Sequence, residues 1–114
     1  MVTNGASRPS RVHEALIFKA LADPTRRDIL DLLRRQSMSV GDLASNFRVS
    51  RPAISKHLRV LRDAGLVRDT PQGAAVMCAL NPEPLKAIDE WLSSYKRFWN
   101  RSLTRLKGHM EKQP

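Results

Sequence analysis

The segment from Ser50 to Gly65 constrains the fold of this sequence more than any other part. Ser50 can accept hydrogen bonds from the free backbone N–H groups of a helix start, and Pro52 is tolerated in a first helical turn. Gly65 suits the position just past a helix end. The sequence therefore predicts a capped helix over residues 51–64 that is basic on one face. Its other face is an apolar stripe at helical spacing, formed by Ala53, Ile54, Leu58, Leu61 and Ala64.

Cap signals also divide the chain before this helix. A first helix is predicted from Val12 onward, and Asp23 with Pro24 predicts the start of a second. Ser39, with an acidic residue three positions later, predicts a short third helix. The side chains predicted to face inward are Val12, Leu16, Ile17, Ala20 and Leu21, then Ile29, Leu32 and Leu33, then Val40, Leu43, Ala44 and Phe47.

After the basic helix, the pattern changes to that of a β-hairpin. Residues 66–69 and 75–80 predict two short strands, and residues 70–73 predict the turn between them. A last helix is predicted from about Leu85 to about Met110, with apolar residues at alternating spacings of three and four. The predicted fold is mainly α with a small β-hairpin, a winged helix-turn-helix of about five helices plus a two-stranded wing.

Composition limits the class of protein. The 114 residues contain 20 Lys and Arg against 11 Asp and Glu, a formal charge of +9, which suggests a polyanionic partner without specifying one. No apolar run reaches the ~18 residues of a membrane span, and the N-terminus lacks a secretory signal. A single cysteine fits a reduced, cytoplasmic compartment. We expect a disordered arm over residues 1–11 and one domain over residues 12–110.

The basic face of the 51–64 helix is the candidate nucleic-acid contact. Arg51, in the first turn, could bond guanine O6 and N7, whereas Lys56, Arg59 and Arg62 suit phosphate. His57 has two open interpretations, a DNA contact or a bond to a backbone carbonyl. The candidate DNA-contacting residues are Ser50, Arg51, Pro52, Ser55, Lys56, His57, Arg59 and Arg62 on the helix, with Arg68 and Gln72 in the hairpin.

Three stretches, residues 18–30, 40–44 and 49–67, resemble the ArsR family of bacterial repressors, and residues 91–99 resemble one branch of it. The resemblance covers residues 12–107. It implies a homodimeric winged-helix repressor of double-stranded DNA whose first and last helices form the dimer interface. Heptad-like spacing and aromatic anchors on the last helix fit that role. The expected interface residues are Leu16, Leu85, Ile88, Leu92, Tyr95, Trp99 and Leu106.

The sequence departs from the metal-sensing members of this family. Ser39 and Gly41 stand where the arsenic-type site has two cysteines, so no thiolate is present for a soft metal. Trp91 replaces a histidine of the zinc-type site, and Ser102 and Arg105 replace its second half. We therefore expect no cofactor and no metal. The wing is also less basic than is usual in the family, which leaves Arg68 and Gln72 as its DNA-contact candidates.

Two other functions remain open at this point. The chain could be a winged-helix interaction protein that regulates through protein partners, which the apolar wing favours. It could also be the same repressor switched by an unidentified hydrophobic effector near Trp91 and Trp99 at the dimer interface. An enzyme is not expected, because no phosphate-binding glycine loop and no nucleophile motif is present. Cys78 is expected to pack as a small apolar side chain, with a redox role as the alternative.

Overall fold

The computed structural model describes residues 11–111. Five helices and one antiparallel hairpin in this range confirm the predicted winged helix-turn-helix architecture. The expected N-terminal arm lies outside the described residues except for Arg11, which is the first residue of α1. The elements are α1 (Arg11–Leu21), α2 (Pro24–Arg35), α3 (Val40–Ala44), α4 (Arg51–Asp63), β1 (Val67–Gln72), β2 (Ala75–Leu80) and α5 (Leu85–Glu111).

Side chains that precede α2, α3 and α4 fix their starts. The Asp23 carboxylate accepts hydrogen bonds from the backbone N–H groups of Thr25, at 2.8 Å, and Arg26, at 3.3 Å. The hydroxyls of Ser39 and Ser50 each accept from the N–H group three residues later, at 3.1 and 3.2 Å. All three caps are confirmed, and each satisfies a donor that the helix itself leaves free.

One apolar core joins α1, α2, α3, α4 and the base of the hairpin. Leu32 is half-buried and packs against the core, and Leu30, which was not predicted to face inward, is buried as well, because α2 packs against α1, α4 and β2 at once. Val12 is 73% exposed rather than buried, since only one side of α1 is covered within a single chain. The side chains with no exposed surface are Ile17, Ala20, Ile29, Leu43, Ile54, Leu58, Leu61, Ala64 and Leu66.

The hairpin is longer than the sequence suggested. β1 continues through Pro71 to Gln72, which pairs with Ala75, so the turn is Gly73–Ala74 and not residues 70–73. A proline is compatible with this strand because a two-stranded hairpin has a free edge where its missing N–H is not needed. Gly73 has φ +65°, which suits the first position of a two-residue turn. The base of the hairpin is tied to the segment before α3 by a β-bridge between Met38 and Cys78.

The last helix, α5, has 27 residues and little cover from its own chain. Ala87 is its one buried residue, and Leu85 and Ile88 pack against the core. From Trp91 to the end of α5 no residue is buried. None of the helices within residues 11–111 combines the length and the apolar character needed to cross a membrane.

Candidate nucleic-acid interface

The solvent-exposed side chains of α4 are polar or cationic for the most part and lie outside its buried stripe. Ile54, Leu58 and Leu61 have no exposed surface, so this side of α4 packs against the core and its other side faces solvent. The exposed residues of α4 are Arg51, Pro52, Ser55, Lys56, Arg59 and the acidic Asp63, with Ser50 just before the helix.

Arg51 lies against α3. A Cβ atom placed on Gly41 would be 3.7 Å from Nη1 of Arg51 and 3.9 Å from its Cζ, so the guanidinium rests over the glycine backbone. This contact limits the conformations of a long side chain and so reduces the entropy lost when it binds a ligand. This contact could not be predicted from spacing along the chain, because ten residues and a turn separate the two positions.

His57 turns toward the body of the protein and is half-buried. Its Nδ1 atom lies 3.2 Å from Nη1 of Arg26 on α2. A guanidinium has only donors, so Nδ1 of His57 is the acceptor in this hydrogen bond. The partner that the structure records is therefore a side chain and not a backbone carbonyl. Sequence reasoning did not identify this contact of Arg26.

Arg62, near the end of α4, is engaged with the hairpin. Its Nη2 atom is 2.9 Å from the Asp69 carboxylate of β1 and 3.6 Å from Sγ of Cys78 on β2. Burial raises the pKa of the Cys78 thiol; the Arg62 cation opposes this rise, and the Asp69 carboxylate adds to it. Cys78 is 1% exposed, in agreement with the expected packing role. In the free protein Arg62 thus joins α4 to the wing, whereas its predicted phosphate contact is untested.

The two polar candidates of the hairpin lie at opposite ends of it. Arg68 is near the base, opposite Ala79, and its Nη2 donates to the Asn81 side chain at 3.2 Å. Asn81 in turn donates to the carbonyl oxygen of Gly65, at 2.8 Å. Gln72 is exposed and adjoins the turn. The tip of the wing, residues 72–76, therefore offers an amide and small apolar groups but no cation.

A second exposed feature is the apolar face formed by α1 and α5. Trp91 packs edge-on against Phe18 of α1, with ring centroids 5.6 Å apart, and lies 5.2 Å from the ring of Tyr95. Trp91 and Tyr95 nevertheless each expose half of their surface. Of the predicted interface residues, Leu16, Leu85, Ile88 and Leu92 are half-buried within the chain, whereas Tyr95, Trp99 and Leu106 are exposed.

Within residues 11–111, no three His, Cys, Asp or Glu side chains are grouped so that they could hold a metal ion. At the positions of the arsenic-type site, Ser39 is instead the N-cap of α3, and the Arg51 guanidinium lies next to Gly41. At the zinc-type position, the Trp91 ring contacts Phe18 and Tyr95. These residues thus have structural contacts of their own that do not involve a metal.

Known proteins match both the sequence and the fold. Residues 23–69 match the family described as bacterial regulatory protein, arsR family. The transcriptional repressor SdpR of Bacillus subtilis (strain 168) is 40% identical over 79 residues, 69% of this chain and 88% of SdpR. The HTH-type transcriptional regulator Rv2034 of Mycobacterium tuberculosis is 46% identical over 87 residues, 76% of this chain and 78% of that protein.

A solved ArsR-like transcriptional regulator from Rhodococcus sp. RHA1 shares the fold, with a TM-score of 0.68 and 33% identity over 90% of this chain and 96% of its own. This chain therefore belongs to the arsR family of bacterial regulatory proteins. It is a transcriptional regulator of a DNA-binding family and not an enzyme, which confirms both the resemblance and the expected absence of catalysis.

Proposed function

We propose that this chain is a homodimeric repressor that binds a pseudo-palindromic operator through the outward face of α4. The observation that carries the proposal is that Arg51, Lys56 and Arg59 are all exposed on a helix whose residues Ile54, Leu58 and Leu61 are wholly buried. A helix held in this way can enter a major groove without giving up any core contact. Repression then follows from occlusion of the polymerase, in the cytoplasm where the bacterial chromosome lies.

The side chains of α4 divide into two roles. Arg51 is in the first turn, the part of a recognition helix that contacts base edges, and is assigned to guanine, with Ser50 and Ser55 near it. Lys56 and Arg59 lie farther along and are assigned to phosphates, which give affinity and register but little sequence information. The wing contributes Gln72 at its tip and Arg68 at its base. Because its tip has no cation, α4 carries most of the electrostatic affinity.

We assign the apolar face of α1 and α5 to contact with a second copy of the chain. Large apolar side chains that stay half exposed on one chain, among them Trp91, Tyr95 and Trp99, are typical of a surface that is covered in an assembly. Two-fold pairing through this face gives residues 12–110 both the DNA-binding and the dimerisation roles. The two α4 helices then occupy successive major grooves, about 34 Å apart.

The test is a gel shift on DNA from upstream of the chain's own gene, against a scrambled duplex of equal length, over a series of salt concentrations. We expect a band specific to the upstream DNA. Each phosphate neutralised contributes about 0.9 to the slope of log affinity against log salt, so Lys56→Gln with Arg59→Gln should reduce the slope by about 3.6 in a dimer. Between about 50 and 200 mM salt, the affinity of the wild type should therefore fall by about 150-fold more than the affinity of this double variant.

The matched control is Lys86→Gln with Arg97→Gln, which removes one Lys and one Arg from exposed positions on α5. It should leave the slope unchanged. A wild-type protein that binds both duplexes equally, or neither, contradicts the proposal and favours regulation through a protein partner. An equal change of slope in the two double variants would show that α4 is not the phosphate-binding face.

A further inference from the structure

Arg26 lies where three helices meet. It is in the first turn of α2 and half-buried. Its Nε donates to the Ala20 carbonyl oxygen at 2.9 Å and its Nη2 to the Lys19 carbonyl oxygen at 2.8 Å, both in the last turn of α1. Its Nη1 donates to Nδ1 of His57 on α4, at 3.2 Å. The Arg26 guanidinium thus bonds two backbone carbonyls at the end of α1, which have no partner within that helix, and one side chain of α4, the helix proposed to contact DNA.

We propose that Arg26 is a positioning residue that, through His57, fixes the rotation of α4 relative to α1 and so sets how α4 meets DNA. The inference rests on the proposed function, since it concerns the orientation of the helix that contacts the operator. It assigns His57 to orientation and leaves direct DNA contact to the exposed residues on either side of it.

The argument depends on the directions of these bonds. The apolar contacts of Ile54 and Leu58 hold α4 against the core, but the hydrophobic effect is non-directional and does not itself specify bond directions. A guanidinium is planar and its donors point in fixed directions. With two of those directions bound to the end of α1, the third defines one position for the His57 ring. Because α1 also belongs to the apolar face assigned to dimerisation, Arg26 connects the two functional surfaces.

The local charges keep this arrangement in place. Desolvation raises the pKa of Asp23, but hydrogen bonds from the backbone N–H groups of Arg26 and Thr25, together with the charge of Arg26, outweigh it, so the pKa of Asp23 lies below its usual range. An ionised carboxylate therefore faces the pair. The charged groups that face His57 are the Arg26 guanidinium and this carboxylate from the start of α2, while α1 presents backbone carbonyls.

A positioning role and a direct DNA contact differ in what they require of the His57 side chain. A positioning role needs only an acceptor near the position of Nδ1. His57→Asn keeps an acceptor oxygen near that position, so a positioning role predicts that this variant retains operator affinity.

The experiment measures operator affinity by fluorescence anisotropy for Arg26→Gln, His57→Ala, His57→Asn and the double variant Arg26→Gln with His57→Ala. We expect about a tenfold loss for Arg26→Gln and for His57→Ala, no further loss in the double variant, and affinity near wild type for His57→Asn. The salt slope should not change. The matched control is Arg27→Gln, because Arg27 donates to the Leu21 carbonyl oxygen of α1 at 2.7 Å and has no recorded bond to α4.

Urea titrations of each variant give the folded fraction to which affinities are scaled, so a loss of folding cannot imitate a loss of positioning. Wild-type affinity in Arg26→Gln overturns the inference, as do additive losses in the double variant. A slope reduced by about 1.8, equal to one phosphate in each subunit, assigns Arg26 to direct contact and also overturns it. A wild-type protein without specific binding contradicts the proposed function itself, and the inference with it.

Discussion

Replacing Trp99 with glutamate is expected to convert a dimer of this chain into a monomer and to lower operator affinity by about 10²–10⁴-fold. Trp99 is 42% exposed on one chain and belongs to the apolar face assigned to the second copy. A carboxylate there would lose its hydration on dimerisation without gaining a partner, which disfavours the assembly. A monomer keeps one α4 face, so it loses the advantage of binding two half-sites together. Sedimentation equilibrium gives the mass, expected to fall from twice 12.9 kDa to 12.9 kDa.

Thr104→Glu is the matched control. Thr104 is exposed on α5 and lies five residues beyond Trp99, about 140° around the helix, so it receives the same change of charge outside the apolar face. It should remain dimeric and retain the affinity of the wild type. A wild-type protein that sediments as a monomer, or a Trp99→Glu variant that stays dimeric and binds normally, would exclude α5 as the pairing surface.

The second large effect is expected for Arg51→Ala. A bidentate bond to guanine discriminates by about 1–3 kcal/mol, so two copies in a dimer should cost at least about 30-fold in operator affinity. Affinity for unrelated DNA should change little, and the preference for one base at one position of each half-site should relax. Binding of the variant to a panel of duplexes, each with one base pair of the half-site changed, measures this preference.

Arg59→Ala is the comparison for Arg51→Ala, because it removes the same side chain from an exposed position farther along α4. It should weaken binding to every duplex in the panel by a similar factor. If Arg51→Ala also weakened all duplexes equally, Arg51 would be a phosphate contact, and the guanidinium seated over Gly41 would serve only to hold α3 and α4 together.

The features that sequence reasoning predicted well are local. The caps at Asp23, Ser39 and Ser50 bond atoms two or three residues away. The apolar stripe of α4 repeats every helical turn. Both patterns can therefore be recognised within a short stretch of sequence. The error in the hairpin has a local cause too. Pro71 and Gly73 together resemble a turn, but pairing with Ala75 and Val76 extends the strand through the proline.

The features that were missed all depend on tertiary structure. Arg26 and His57 are 31 residues apart, and nothing in the spacing of either helix indicates that their side chains meet. Arg62 was predicted as a phosphate contact because α4 alone shows an outward cation; the Asp69 carboxylate that engages it lies on the following strand. Charge and periodicity therefore predicted which side of α4 is exposed but could not show which of its side chains are bonded to other elements.

Sequencing of genomic fragments retained by the purified protein tests the central claim most directly, because it needs no prior operator. Two α4 helices related by a two-fold axis predict that the retained fragments share an inverted repeat whose half-sites are centred about 10 base pairs apart or a multiple of that. They also predict that the repeat is lost from fragments retained by Arg51→Ala. Fragments enriched without a common sequence, or with a single unpaired half-site, would contradict a dimer that recognises DNA through α4.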